Sequence, residues 1–144
     1  IKGLLEFDFD NKTVFDIGTG SGILSIIAKK LGAKKIKAID NDSLTHNNFY
    51  ENLKLNSLNK NDIDFEIKDC FKVKDFNYDF IFANISSTIL QRLVSKINKQ
   101  NGTLIISGIL EADEKSIVKV LNENNKKIKK RYQKNEWLCF VIEL

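Results

Sequence analysis

The sequence has no proline and no methionine, and only two cysteines, one histidine and one tryptophan in 144 residues. Cys70 and Cys139 form neither a metal-spaced cluster nor a disulfide framework, so no metal is expected and a reducing cytoplasm is the expected compartment. No apolar run approaches the ~20 residues that span a bilayer, so no membrane partner is expected. The opening Ile1-Lys2-Gly3-Leu4-Leu5 lacks a basic segment followed by an apolar one, so no signal peptide is visible. No initiator methionine heads these residues, which read as part of a longer chain. A concentrated basic stripe is also missing. Net charge is +4, and the one dense run, Lys126-Lys127-Ile128-Lys129-Lys130-Arg131, reads as a solvated edge or loop. Nucleic acid is therefore not the expected partner.

What is present suits one soluble domain: 42% hydrophobic and 29% charged residues, without repeats or linkers. Strand and helix patterns alternate. Short strands are expected at 13–16, 35–40, 64–68, 78–83 and 104–107. Helical spacing appears at 23–31, where Ile23, Ile27 and Leu31 share a face and Gly32 closes the helix, and again through Ile89, Leu93 and Ile97. A helix capped by Asp42 or Ser43 is expected to run to about residue 56, and another from 111 to about 124. Residues 127–144 read as two strands joined at Lys134-Asn135-Glu136. This pattern predicts an α/β fold whose parallel strands all end on one ligand-binding edge. The closing antiparallel hairpin belongs with the seven-stranded, Rossmann-like methyltransferase sheet rather than with dinucleotide dehydrogenases.

The strongest motif is Asp16-Ile17-Gly18-Thr19-Gly20-Ser21-Gly22 between the first strand and first helix. Glycines there allow a tight turn and close backbone approach to a ligand, and the helix beyond presents free N–H groups. A tight strand-to-helix turn would use the same residues. Asp40, at the end of the next strand, adds a carboxylate placed for ribose hydroxyls. Position 23 is Ile where the dinucleotide fingerprint needs Gly, and Asp16 would repel a pyrophosphate while suiting an ammonium and a sulfonium. The expected cofactor is S-adenosylmethionine, held by Asp16, Gly18, Thr19, Gly20, Gly22 and Asp40. Asp69 is either a polar strand-end residue or an acceptor for the adenine amino group. Cys70 reads as a small buried residue. Asn84, after the apolar fourth strand, is either a turn residue or the group that accepts a hydrogen bond from an amine and aims its lone pair. It is the expected catalytic residue. Ile85-Ser86-Ser87 lacks the prolines and aromatic that stack planar substrates, which favours an aliphatic amine. His46 reads as structural or solvent-exposed.

These segments together resemble the bacterial ribosomal-protein methyltransferases called PrmA. The likeness is carried by 16–26, Ala38-Ile39-Asp40-Asn41-Asp42, Glu51-Asn52, Leu55-Asn56, Ala83-Asn84-Ile85, Ser107-Gly108-Ile109-Leu110 and Glu136-Trp137. The resemblance implies methyl transfer to lysine and N-terminal amines of a large-subunit ribosomal protein at the stalk base, with Gly18, Asp40 and Asn84 at the cofactor. It implies a catalytic domain over 1–144, with 1–12 as the tail of a preceding helix and a linker. Two family prolines are replaced, by Ser43 and by Gln100-Asn101 before Gly102. The family's N-terminal recognition domain and its Gly/Thr/His-rich segment are not in this sequence. Two other readings compete: an RNA or small-molecule methyltransferase of the same fold, and a non-catalytic module that keeps it. The RNA reading requires the basic run to share a surface with Asn84. The second leaves the set Asp16, Gly18, Gly20, Asp40 and Asn84 unexplained.

Overall fold

A computed structural model describes residues 2–98 and 101–144. Seven strands form one sheet: β1 (Thr13–Ile17), β2 (Lys35–Asp40), β3 (Asp64–Ile67), β4 (Phe80–Asn84), β5 (Thr103–Leu110), β6 (Lys127–Lys134) and β7 (Trp137–Glu143). Four α-helices accompany them among the described residues: α1 (Ile23–Lys30), α2 (Thr45–Leu55), α3 (Ser87–Val94) and α4 (Glu114–Glu123). The strand order is β3-β2-β1-β4-β5-β7-β6. The first five are parallel, and β7 runs against both neighbours. The expected α/β class, strand count and closing hairpin are all present. None of the described helices is long and apolar enough to cross a membrane.

Alternation along the central strands explains the layering. Phe15, Ile17, Ile81 and Ala83 face a core completed by Leu90, Leu93 and Val94 of α3 and Ile117 and Leu121 of α4. Val14, Ala38, Phe80 and Phe82 face the opposite core, completed by Ile26 of α1 and Phe49 and Leu53 of α2. Each of the larger side chains among them, the Val, Leu, Ile and Phe residues, contributes roughly 1.5–3 kcal/mol of transfer free energy when fully buried. The chain builds outward from β1 to β3, then returns to lay β4 on the other side of β1. The order reverses between β1 and β4, the switch point at which open α/β sheets bind ligands outside their strand ends.

Several boundaries differ from those expected. Helix α2 begins at Thr45, with Leu44 at its N-cap and no side-chain cap. The Asp42 carboxylate accepts instead from Leu44 N at 2.9 Å, so it forms a turn before the helix. Strand β5 runs on to Leu110 because Gly108, at φ 77°, forms a bulge rather than an end. Strand β4 starts at Phe80, since Tyr78 N closes a turn onto Phe76 O. The region from 111 opens with a short 3-10 helix, Glu111–Asp113, before α4. Leu31 is the C-cap of α1, and Gly32 follows it at φ 98°. Lys2–Glu6 is a 3-10 helix, and Phe9, expected within a linker, is fully buried against Phe80 and Phe82. Ile1 and Gln100 lie outside the described residues.

The basic run also sorts itself differently. Residues 127–131 lie on edge strand β6, but Lys126 is buried, and its Nζ donates to Ile97 O at 2.7 Å. Burial pushes the Lys126 ammonium below its ordinary value. In the alkaline window just below the unfolded value of about 10.4, the unfolded chain then binds more protons than the folded one. Stability therefore rises with pH there. The expected outcome is that the unfolding free energy of the parent, minus that of Lys126→Met, climbs through this window in urea titrations. A flat difference would contradict the placement of Lys126.

Candidate active site

The site is built from the loop that leaves β1. Gly18 has φ 68°, and a Cβ there would overlap Ile85 Cγ2, so the residue after Asn84 packs directly onto the loop. Gly20 has φ 54° and nothing within 4 Å of a built Cβ, so this side of the loop is open. Gly22, at φ 82°, is the N-cap of α1, and its Cβ would lie 2.8 Å from two ring atoms of Phe49. The third glycine thus serves packing of α1 against α2 rather than the crevice.

Asp16 lies beneath the loop, 1% exposed. Its Oδ2 accepts from Thr19 Oγ1 at 2.7 Å, Ser25 Oγ at 2.7 Å and Ser25 N at 3.2 Å. Burial pushes its pKa up, while the Ser25 and Thr19 hydrogen bonds act against that. Asp16 Oδ1 is buried and has no partner, so it is an acceptor open to a donor. Thr19 is likewise buried, with its hydroxyl turned to Asp16. These two expected ligand residues hold the loop to the first turn of α1. Asn52 adds a clamp from α2, donating from Nδ2 to Ser21 O at 2.9 Å.

Asp40 ends β2 on the crevice side. Its Oδ2 accepts from Gly20 N at 2.8 Å and its Oδ1 from Asp42 N at 3.0 Å. Each carboxylate oxygen retains a second lone pair for a hydroxyl donor. A narrow cleft continues from it, walled by Ile39, Asp40, Asp69, Cys70, Ile85 and Ile89. Asp69 caps a 3-10 turn, Cys70–Lys72, by accepting from Phe71 N at 2.8 Å. Burial, and then the Asp69 charge, push the Cys70 thiol up, so Cys70 is a weakly acidic, partly buried wall residue.

Asn84 is exposed at the end of β4, and Ser107 Oγ donates to its Oδ1 at 3.0 Å. The β5 bulge makes room for it, because a Cβ at Gly108 would lie 2.9 Å from Asn84 Oδ1 and 3.3 Å from Ile85 O. A mainly apolar cavity opens beside Asn84, lined by Gly108, Tyr132, Trp137, Leu138 and Cys139. The structure therefore places Gly18, Asp40 and Asp69 on one cleft, with Gly20 bonded to Asp40 and Asn84 at the end of β4 beside its own cavity, while Asp16 and Thr19 are buried beneath the loop and Gly22 packs on Phe49. Ile85, Ser107, Gly108 and Asn52 join the site but were not among the expected site residues. The Gly108 signal was a glycine inside an apolar strand. Ile85 and Ser107 lie within segments that carry the family resemblance, but nothing in their residue type marked them as site residues. His46 is exposed on α2, its ring edge-on to Tyr50.

The basic run does not join this site as a free cationic surface. Lys126 is buried, while Lys129 pairs with Glu143 at 2.5 Å, Lys130 with Glu6 at 2.6 Å and Arg131 with Glu114 at 2.6 Å. The RNA reading loses its support.

The glycine loop yields a contrast in stability. Gly22→Ala is expected to cost about 2–4 kcal/mol, from left-handed backbone strain and overpacking on Phe49. Gly20→Ala carries only the strain, about 1–2 kcal/mol. Urea unfolding of the two variants measures both, and equal losses would contradict the packing role of Gly22.

With this geometry established, comparison with known proteins is informative. A family model for ribosomal protein L11 methyltransferase (PrmA) matches residues 1–144. A ribosomal protein L11 methyltransferase of Prochlorococcus marinus (strain MIT 9515) is 35% identical over 152 residues, covering 99% of this chain and 50% of that protein. The chain spans about half the length of the curated relatives it matches. The crystal structure of a ribosomal protein L11 methylase from Lactobacillus delbrueckii subsp. bulgaricus superposes with a TM-score of 0.91 at 32% identity, covering 99% of this chain and 74% of that one. A precorrin-6y C5,15-methyltransferase from Geobacter metallireducens GS-15 superposes with a TM-score of 0.73 at 16% identity, covering 94% and 80%, a likeness of fold alone.

Proposed function

The chain belongs to the PrmA family of ribosomal protein L11 methyltransferases, and we propose that it is the S-adenosylmethionine-binding catalytic domain of such an enzyme. Its substrate is the L11 protein at the stalk base of the large subunit, and the acceptors are lysine and N-terminal amines. The reaction belongs in the cytoplasm, where ribosomal proteins are modified. Domain limits of 1–144 accompany this reading.

The observation that carries it is the placement of Asp40 and Asn84 at the ends of β2 and β4, the two strands that flank β1, each fixed by its own backbone or hydroxyl partner. Asp40 has lone pairs for the two ribose hydroxyls, and Asp69 lies in the same cleft for the adenine amino group. The loop offers an open face at Gly20 and, at Asp16 Oδ1, an unfilled acceptor suited to an ammonium donor. These residues fit S-adenosylmethionine, which when bound supplies an electrophilic methyl group. The remaining work falls to the protein. An acceptor amine must be neutral, although free lysine has a pKa of about 10.4. Asn84 Oδ1, held by Ser107, accepts one N–H and so aims the nitrogen lone pair without acting as a strong base. The apolar cavity beside it shelters an aliphatic side chain and excludes water from the approach.

Two measurements test the reading. Calorimetric titration of the 144-residue chain with S-adenosylmethionine is expected to show binding that Asp40→Ala weakens ten- to hundredfold, as for a lost charge-assisted hydrogen bond. Absence of binding by the parent would overturn the cofactor reading. In transfer assays on purified L11, Asn84→Ala is expected to lower kcat by about a hundredfold with little change in cofactor affinity. An unchanged kcat would remove Asn84 from the catalytic role.

A further inference from the structure

One wall of the cofactor cleft has little structure of its own. The Cys70–Lys72 turn is three residues long, and its backbone closes through Lys72 N to Asp69 O at 3.0 Å and Val73 N to Cys70 O at 3.3 Å. Yet Cys70 and Phe71 line the cleft. What fixes the turn comes largely from α3 and the residues just after it. The Arg92 guanidinium carbon lies 4.1 Å from the centroid of the Phe71 ring, and Lys96 Nζ donates to Phe71 O at 3.1 Å. Asp69 Oδ1 takes the Phe71 amide. Phe71 is thus held at its amide, its ring and its carbonyl.

The placement of these groups along α3 is informative. Ile89 lines the cleft directly, and Arg92 and Lys96 follow it by three and seven residues, the spacing of one helical face. The stretch Asn84-Ile85 leads straight into α3, and Ile85 packs onto Gly18. Among the described residues Arg92 forms no ion pair, so the ring is the partner its charge has. A cation over an aromatic face is attracted by the ring quadrupole. The Arg92 charge also reaches Cys70, where it opposes the rise in the thiol pKa caused by burial and Asp69.

We propose that Arg92, assisted by Lys96, is a positioning residue for the adenosyl end of the cofactor site, holding the Cys70–Lys72 turn so that the cleft wall is formed before a nucleoside arrives. This rests on the reading of the cleft as a cofactor site. Arg92 touches the wall and not the ligand. Its contribution is to remove the ordering of the turn from the cost of binding. The same helix then sets the distance between that wall and Asn84.

The test is calorimetric titration of the 144-residue chain, and of Arg92→Met and Arg92→Lys, with S-adenosylhomocysteine and with adenosine. Arg92→Met keeps an apolar stem and removes the charge. It is expected to weaken both ligands by a similar factor, about fivefold, because the affected wall faces the part they share. Arg92→Lys restores a cation and is expected to recover most of the loss. Urea midpoints of the three proteins are expected to agree. If the parent binds both ligands and Arg92→Met binds them equally well, the positioning role is overturned while the cofactor reading stands. If the parent binds neither, both fall together. Equal losses in both variants, accompanied by lowered midpoints, would also overturn the proposal, since the effect would then lie in folding.

Discussion

The rest of the site depends on one buried oxygen, Asp16 Oδ2, and the three donors gathered on it. A carboxylate 1% exposed carries a large desolvation cost, offset here by two hydroxyls and a backbone amide. Because those donors belong to Thr19 and Ser25, the bonds tie the middle of the loop to the first turn of α1. The loop so fixed aims Gly20 N at Asp40, which locates the carboxylate at the end of β2. It also sets Gly18 under Ile85, which locates the end of β4. Two neighbours of β1, on opposite sides, are therefore indexed to the same few atoms.

The division of labour along the loop follows from which side each residue faces. The positions divide between the interior beneath the loop and the open side above it. Asp16 and Thr19 face the interior, Gly22 faces Phe49, and Gly20 faces open space. A loop that must both pack and bind needs polar groups below to fix it and bare backbone above to admit a ligand. Glycine supplies the second, and a buried hydrogen-bonded carboxylate supplies the first. The same logic recurs at Gly108, where a bulge without a side chain leaves the space that Asn84 Oδ1 occupies.

Much of this was readable from residue order, and the failures have physical causes. Strand β2 and the hairpin turn at Asn135 were legible because a buried run ending in Asp40, and an Asn suited to positive φ (54° here), are local signals. The start of α2 was not, since Asp42 has the chemistry of a cap and equally that of a turn, and only the fold decides between them. The bulge at Gly108 looked like a strand end because a single glycine signals both. The basic run looked uniform, whereas strand β6 leaves residues 127–131 on the edge and Lys126 in the interior. The direction in which Asp16 points was also invisible. Motif spacing places a carboxylate near a loop, but which face it takes depends on Ser25, nine residues later.

The closing hairpin shows why topology, and not only the glycine motif, makes the site. Were β7 parallel to β5, the turn joining it to β6 would have to cross the sheet, and a helix would cover one face. Because β7 runs against β5, Trp137 at its start pairs with Leu110 at the end of β5. The 134–137 turn therefore stands on the same edge as Asn84 and the ends of β1, β2 and β4. Glu111 N bonds Glu136 O at 2.8 Å and pins that turn to the chain leaving β5. The cavity beside Asn84 is the direct result, with Gly108 from one strand and Leu138 and Cys139 from its antiparallel neighbour. A sheet that ended in parallel strands would present a cofactor crevice alone. Reversing one strand adds a second wall, mainly apolar and close to the Asn84 amide.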